Sequence, residues 1–438
     1  MTEAIGRYGN RSGNIGFNLI ILTWQGKGPI LDRVIIRYKN NNRPAYVNHA
    51  MKPLENMLHS PKKHYAGFSV LIAVIALAVL ISSAVFTLRA LIAPGENTQP
   101  ETNDTHSFDL KETRDGWWET SDEIYFGIPA RIVFRMPENA EEPTSPETIA
   151  REIWTEFDRI GNIFNAFDPD SETGRLNSSA RQGMTSVSSD MMEVLLVSQK
   201  LWETSGGAFD PTMLPVKRMW EDAVRDQKVP SNRDILKTMS SVGFENVAIY
   251  EDSGKIRIKK RDIRFDFGGV AKGYAVDQVA GVLEAHGIPA ALIALAGEIR
   301  TFGDNNGRPW RIGIQHPLDM GEVWGAVSAE TDIRVSTSGN YRQPLRIAGR
   351  EFYHIFDPDT GRPVSEKILG VTTLCASGKA SGAFLDGAAT AIVVLGAKKG
   401  MVFAEKTGIE ALIIRKSGSG EIEELMTDGF RVMYEPFR

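Results

Sequence analysis

Cysteine is nearly absent: Cys375 is the only one in 438 residues. A lone thiol cannot close an internal disulfide, and it excludes a zinc or iron–sulfur site built on several cysteines. Positive charge is not in excess either. Fifty Lys and Arg face 55 Asp and Glu, a net charge of −5, so the overall balance gives no reason to expect nucleic acid. No segment recurs at a period of roughly 20–50 residues, which sets aside solenoids and propellers. The protease and hydrolase signatures HExxH and GxSxG are missing, as are the GxGxxG and GxxxxGK[ST] phosphate loops.

What is present reads as globular protein, 42% hydrophobic and 24% charged. At roughly 100–200 residues per domain the length allows two to four units. Charge is unevenly spread. Residues 1–88 carry ten basic and three acidic side chains, which leaves 40 against 52, a net −12, for the rest. The same N-terminal part holds AGFSVLIAVIALAVLISSAVFTL, 23 residues from Ala66 to Leu88 without a charge. About 20 apolar residues suffice to cross a bilayer as a helix. Lys52, Lys62 and Lys63 precede the run, and Glu96, Glu101, Asp104, Asp109 and Glu112 follow it. Basic flanks stay in the cytoplasm, so the sequence predicts a single-pass anchor in the cytoplasmic (inner) membrane with the C-terminal part outside, in the periplasm. The apolar run exceeds a usual signal-peptide core, and Ser82-Ser83-Ala84 makes a poor cleavage site. The expected organisation is a cytoplasmic segment over 1–65, a transmembrane helix over 66–88, a linker over 89–117 and an exported domain over 118–438. Residues 1–50 are Gly/Asn-rich with little periodicity beyond Arg33–Tyr38, and Met51 or Met57 is an alternative start.

In the exported part the periodicities predict a strand over Glu123–Arg135, a helix opened by Ser145-Pro146 and a helix over Asp190–Thr204 stopped at Gly206-Gly207. IRFDFGG reads as a strand feeding a helix over VAKGYAVDQVAGVLEAHG, followed by a strand in IPAALIALAG. Short strands over 309–358 with turns at Gly325, Gly339 and Gly349, a helix over Ala380–Leu395 and a strand over Glu410–Arg415 complete a mixed α/β (α+β) domain, in one body or two packed lobes.

Three stretches could carry chemistry. In Asp266-Phe267-Gly268-Gly269-Val270-Ala271-Lys272-Gly273-Tyr274, glycines before a helix let backbone approach a ligand, and the helix N-terminus with Lys272 would suit phosphate; tight packing of strand on helix is the plainer alternative. Asp386 and Thr390, one helical turn apart, offer a carboxylate and a hydroxyl to a hard cation such as Mg²⁺, or merely bond each other. His354, just before the Asp357-Pro358-Asp359-Thr360-Gly361 turn, could serve as acid or base or simply hydrogen-bond in the turn.

Taken in order, FDPDSETGRLN (167–177), GGAFDPT (206–212), DFGGVAKGYAVD (266–277), AGEIR (296–300), PWRIGIQHP (309–317), STSGNY (336–341), YHIFDPDTGRPV (353–364) and DGAAT (386–390) resemble the ApbE family of FAD:protein FMN transferases, over about Tyr125–Asp428. The resemblance implies an ApbE-like, T-fold-like domain and a set of roles. Asp266 and Lys272 would hold FAD, and the Gly269 carbonyl would join Asp386 and Thr390 around Mg²⁺. Ala208, Phe209 and Asp210 would line the flavin or adenine edge, and Phe167 would stack on the isoalloxazine. Glu298, His354 and Ile355 would be further cofactor-side positions. Phe126 would contact the cofactor too, although the family's Met-Gly-Thr is Phe126-Gly127-Ile128 here. The family's Gly-Gly before the acidic residue is Ala296-Gly297. The implied reaction is attack by a Ser or Thr hydroxyl of an acceptor protein on the FMN-side phosphorus of FAD, with AMP leaving. His354 is the candidate base, Asp266 a second, and Lys272 and Mg²⁺ would neutralise the pyrophosphate. The nearest acceptor-like string, Ala380-Ser381-Gly382-Ala383-Phe384, lacks the terminal hydroxyl, so the expected partner is a separate exported redox-complex subunit. Two other readings stay open: a Mg²⁺-dependent FAD pyrophosphatase, and a non-catalytic FAD-binding or delivery protein.

Overall fold

The computed structural model describes residues 108–437 except 114–115, 125–127, 139–143, 179–182, 320, 331, 340–343, 365–367 and 377, with the backbone of four short strands before residue 50. The chain divides into Met1–Thr102 and Asn103–Arg438. In the first unit Thr2–Ala4 pairs antiparallel with Ile21–Thr23, and Ile35–Asn40 with Arg43–Asn48. The expected membrane helix over 66–88 and Phe126 lie outside the described residues.

The second unit is built on nine strands: β1 (Asp109–Glu112), β2 (Trp117–Ile124), β3 (Ile128–Arg135), β7 (Ala290–Leu295), β8 (Glu298–Phe302), β11 (Ile333–Gly339), β16 (Ile368–Ala376), β17 (Glu410–Lys416) and β18 (Ile422–Met426). They form one sheet in the order β18-β17-β16-β11-β8-β7-β3-β2-β1, every neighbour antiparallel. Side chains alternate between its faces. Along β3 and β7, Ile132, Phe134, Ala291 and Ile293 turn toward a core shared with helices α1 (Pro146–Phe164), α3 (Ser189–Ser205), α6 (Ala271–Ala285) and α7 (Gly382–Thr407). On the opposite side Val335, Leu374, Leu412 and Ile414 meet Ile312, Ile314 and Val327 of a second sheet and Phe430 of a short helix, α8 (Asp428–Met433). That sheet joins β9 (Trp310–Gln315), β10 (Val323–Ala329) and β19 (Tyr434–Pro436).

Helix starts follow local chemistry. Ser145 caps α1 by accepting from the Thr148 N–H, with Pro146 in the first turn, and Ile149, Ile153, Phe157, Ile160 and Phe164 form its buried stripe as their spacing predicts. Gly206 ends α3 in the left-handed conformation at φ 65°. Among the described residues α7 is the one helix long and apolar enough to cross a membrane, but most of it is buried against the sheet and α3, as a core helix. Its first part ends at the predicted Leu395, where Gly396 is non-helical at φ 75°, and a second helical stretch continues across the kink to Thr407.

Two expectations are corrected. Residues 263–267 form no strand beyond a single bridge from Arg264 to Met213. The apolar alternation is real, with Ile263, Phe265 and Phe267 buried, but its backbone is tied elsewhere: Asn177 brackets Phe265 with bonds of 2.7 and 2.9 Å, and the Asp266 N–H donates to the Pro211 carbonyl at 2.8 Å. Gly325 is not a turn but lies within β10, where a Cβ would strike the Tyr434 ring. Of the other two predicted turns, Gly349 makes a hairpin at φ 76° and Gly339 ends β11.

A satellite cluster gathers α4 (Leu214–Asp226), α5 (Asn232–Met239) and the hairpin of β12 (Leu345–Ile347) and β13 (Arg350–Phe352) around Trp220, whose indole N–H donates to the Gly361 carbonyl at 3.0 Å. It brings the His354 segment beside α4.

Candidate active site

The loop from Asp266 to Lys272 is held at both ends. At its helical end, Lys272 sits in the first turn of α6 with its ammonium turned inward, 2.9 and 3.0 Å from the two carboxylate oxygens of Asp386 on α7, 3.4 Å from Glu298 at the start of β8 and 3.1 Å from the Gly268 carbonyl. Asp386 also accepts from the Gly273 N–H at 3.2 Å. This arrangement needs α6 and α7 in backbone contact. A Cβ on either Gly273 or Gly382 would run into the other's carbonyl, so both positions require glycine. Lys272 is thus not a solvated lysine: burial pushes its pKa down, but Asp386 and Glu298 outweigh that and raise it.

Glu298 is buried, and its Oε2 has no hydrogen-bond partner among the described residues. Burial, with the Asp386 charge, pushes its carboxyl up to about 8. It faces Ser336 across the sheet. Thr390, one turn beyond Asp386, places its hydroxyl 3.4 Å from the Asp386 carbonyl and 3.5 Å from Ser338 Oγ. The loop backbone presses on this corner: a Cβ at Gly269 would lie 3.6 Å from Thr390 Oγ1 and 3.3 Å from the Phe209 ring. Gly269, Asp386 and Thr390 therefore do come together.

At the other end Asp266 accepts from Lys217 Nζ on α4 at 2.7 Å and from the Gly268 N–H at 2.9 Å. Burial favours its neutral form, but Lys217 and that N–H more than offset this and hold the carboxyl below its ordinary value. The same ammonium lies 5.0 Å from the centre of the Phe167 ring, which is 43% exposed. His354 is mostly buried, and its Nδ1 has no partner among the described residues. Burial, then the charges of Lys217 and Lys272, lower its pKa to about 4, so it is neutral at pH 7 and within electrostatic reach of both lysines. Ile355 beside it is buried.

The GGAFDPT segment packs directly behind the loop. Phe209 is a core residue beneath Gly269 and Gly387. Asp210 spends its carboxylate on its own turn, accepting from the Thr212 N–H at 2.7 Å, the Thr212 hydroxyl at 2.6 Å and the Phe244 N–H at 3.1 Å. Ala208 is half-buried at the turn's rim. This segment supports the loop from behind. Sequence reasoning missed Lys217, 49 positions from the carboxylate it holds.

No cluster of three or more His, Cys, Asp or Glu side chains suited to a metal occurs among the described residues. The grouping offered here is one carboxylate, one hydroxyl and loop carbonyl backbone, all hard oxygen donors.

A model of the ApbE family matches residues 126–413. A FAD:protein FMN transferase of Vibrio cholerae is 30% identical over 289 residues, 65% of this chain and 84% of that protein. One from Escherichia coli K12 is 27% identical over 350 residues, 76% and 93% of the two chains. Among solved structures, the flavin transferase ApbE from Vibrio cholerae superposes with a TM-score of 0.61 at 27% identity, over 72% of this chain and 99% of that one. The ApbE protein of Thermotoga maritima gives 0.63 at 25% identity, with the same coverages. The loop, the two helices that meet on it and the central strands β3, β7, β8, β11 and β16 lie within the matched span, and the chain belongs to the ApbE family.

Proposed function

We propose that this chain is an FAD:protein FMN transferase that joins FMN from FAD to a Ser or Thr hydroxyl of an acceptor protein and releases AMP in a Mg²⁺-dependent reaction. The observation that carries this reading is the convergence of Lys272, Asp386, Glu298 and Thr390 from three separate elements on one glycine loop.

The donor set fits Mg²⁺. The ion takes oxygen ligands, commonly one or two carboxylates completed by substrate phosphates and water, and Asp386, Thr390 and the Gly269 carbonyl are such a partial set. The Gly269 position also brings the loop backbone within van der Waals reach of the Thr390 hydroxyl. When bound, the ion would supply charge neutralisation to the pyrophosphate. Lys272 fixes the Asp386 carboxylate in place and keeps a positive charge beside it. His354, neutral at pH 7, has a lone pair with which to take the proton of the attacking hydroxyl, and Asp266 is the second candidate. The oxygen–phosphorus bond to the acceptor forms as the bridging bond to AMP breaks. Phe167 offers a ring face for the flavin, and Ile355, next to His354, would be a further cofactor-side position.

A separate acceptor is supported by the use this chain makes of its own Ala380–Phe384 string. Ser381 caps α7, accepting from the Phe384 N–H at 3.2 Å, and Gly382 is pressed against Gly273. The reading keeps the single-pass anchor over 66–88 and an exported domain, supported by the uncharged run and its basic flank; a reporter fused after residue 115 that is active only in the cytoplasm would overturn that part. The test of activity is to incubate the full chain with FAD, MgCl₂ and a Thr-containing acceptor, then weigh the acceptor. A gain of one FMN, abolished by EDTA, is expected. Free FMN and AMP without acceptor labelling would indicate hydrolysis, and bound but intact FAD would indicate a delivery protein.

A further inference from the structure

Lys217 stands where local chemistry disfavours it. It is the fourth residue of α4, with its N–H donating to the Met213 carbonyl at 3.0 Å, so a cation sits in the first turn, where the helix dipole opposes it. Its side chain is only 36% exposed. A residue that breaks the local rule is held there by something else, and here two groups hold it: the Asp266 carboxylate at 2.7 Å and the face of Phe167 at 5.0 Å. Glu221, one turn on along α4, and Lys272 also act on it.

A cation held between a carboxylate and an aromatic face fixes both. The carboxylate removes the ammonium's freedom to leave the ring, and attraction between ammonium and ring sets the ring's tilt. Phe167 is 43% exposed, on the turn between α1 and α2 (Glu172–Ser178), with its N–H bonded to Asn165 Oδ1 at 3.0 Å.

On the reading that flavin stacks at Phe167, we propose that Lys217 is a positioning residue for the flavin end of the site, pinning the Phe167 ring against the Asp266 end of the loop. The pinned ring presents one orientation to the isoalloxazine, so ordering it costs nothing at the moment of binding. Lys217 acts through Phe167, and its contribution to affinity disappears when the ring is removed.

That dependence is the test. FAD affinity is measured by flavin fluorescence titration, without acceptor, on the full-length wild type, Lys217→Met, Lys217→Arg, Phe167→Ala and the Lys217→Met/Phe167→Ala double variant, with a melting temperature for each. Lys217→Met is expected to weaken FAD about tenfold, Lys217→Arg to restore most of it because guanidinium also pairs with carboxylate and ring, and the double variant to bind like Phe167→Ala alone. Independent, multiplying losses in the double variant would overturn the proposal, as would unchanged affinity in Lys217→Met. Should Lys217→Met fail to fold, Lys217→Gln keeps a donor for Asp266 while losing the charge over the ring, and the same cycle is read with it. A wild-type chain that does not bind FAD would remove the transferase reading itself. A wild type that binds, beside a Lys217→Met that binds equally, would remove only the role of Lys217.

Discussion

The two ends of the 266–272 loop are each held by a lysine on a carboxylate, and the pairs differ in surroundings. At the inner end the side chains of Asp386 and Glu298 are 2% and 3% exposed, with Lys272 between them at 27%. At the outer end Lys217 and Asp266 are 36% and 18% exposed, and the lysine shares itself with an aromatic ring. A buried pair is costly to break because the survivor keeps its charge without water. A pair open to solvent loses little, since water replaces the missing partner. The inner pair thus locks α6 to α7, while the outer pair, nearer solvent, contributes less to stability and holds the Phe167 ring.

The largest effect should come from Asp386→Ala. It strands a buried ammonium and removes the one carboxylate of the proposed Mg²⁺ set. FMN transfer should fall at least a hundredfold, and stability by about 3 kcal/mol in chemical denaturation. An unchanged midpoint would mean that Glu298 alone suffices for Lys272, and the two ends would no longer differ in kind.

Glu298→Gln sharpens the inner end by pH. The folded carboxyl holds its proton to about 8, against an ordinary value of 4.5. The folded chain therefore binds this proton more tightly than the unfolded one. That contribution is complete below 4.5 and is lost as pH rises toward 8. The variant has nothing to lose, so its stability relative to wild type should climb steadily between pH 5 and 8 in parallel melts. A constant difference across that range would assign the group an ordinary carboxyl.

Asp266→Asn tests the outer end and should cost about 1 kcal/mol or less, an amount that shrinks in high salt as screening weakens the wild-type pair. The Asp386 effect should persist in the same salt. Equal salt sensitivity at both ends would erase the comparison.

The smallest effect is expected at Ala296, which precedes Glu298 with φ 52°, a left-handed conformation that a Cβ resists. Ala296→Gly should raise stability by up to about 1 kcal/mol, relief of backbone strain being partly offset by the freedom glycine gains when unfolded. The departure from the family's Gly-Gly is thus a strained one. The neighbouring glycine could not change in the same way, because a Cβ at Gly297 would sit 2.7 Å from the Thr337 carbonyl.

Much of this was legible in the sequence. Helix periodicity located α1 and α3 to within a residue or two, because their buried stripes and caps are local signals. The motif order brought Gly269, Lys272, Asp386 and Thr390 together correctly, and also Glu298 and His354. The failures share a cause: a distant group answered a local pattern. Residues 263–267 alternate like a strand, but Asn177 and Pro211 take the hydrogen bonds that a neighbouring strand would have supplied. Gly325 looked like a turn, but it is glycine because Tyr434 occupies the place of its side chain. Lys217 had no signal at all, since nothing near it in the chain explains a cation there.

The strand order has a consequence for how the protein comes to exist. Read from one edge to the other, β1-β2-β3-β7-β8-β11-β16-β17-β18 never reverses chain order. Each strand added to the sheet is made later than the one it joins, so the sheet can be laid down in the direction of translation, N-terminal part first. The charges do not follow so tidily. Lys272 and Glu298 are made well before Asp386, which arrives with α7 between the third-last and second-last strands of the sheet. A nascent chain therefore carries most of its sheet, and Glu298, before it carries the nearer carboxylate of its central lysine, and a product truncated ahead of α7 would have seven of the nine strands without Asp386.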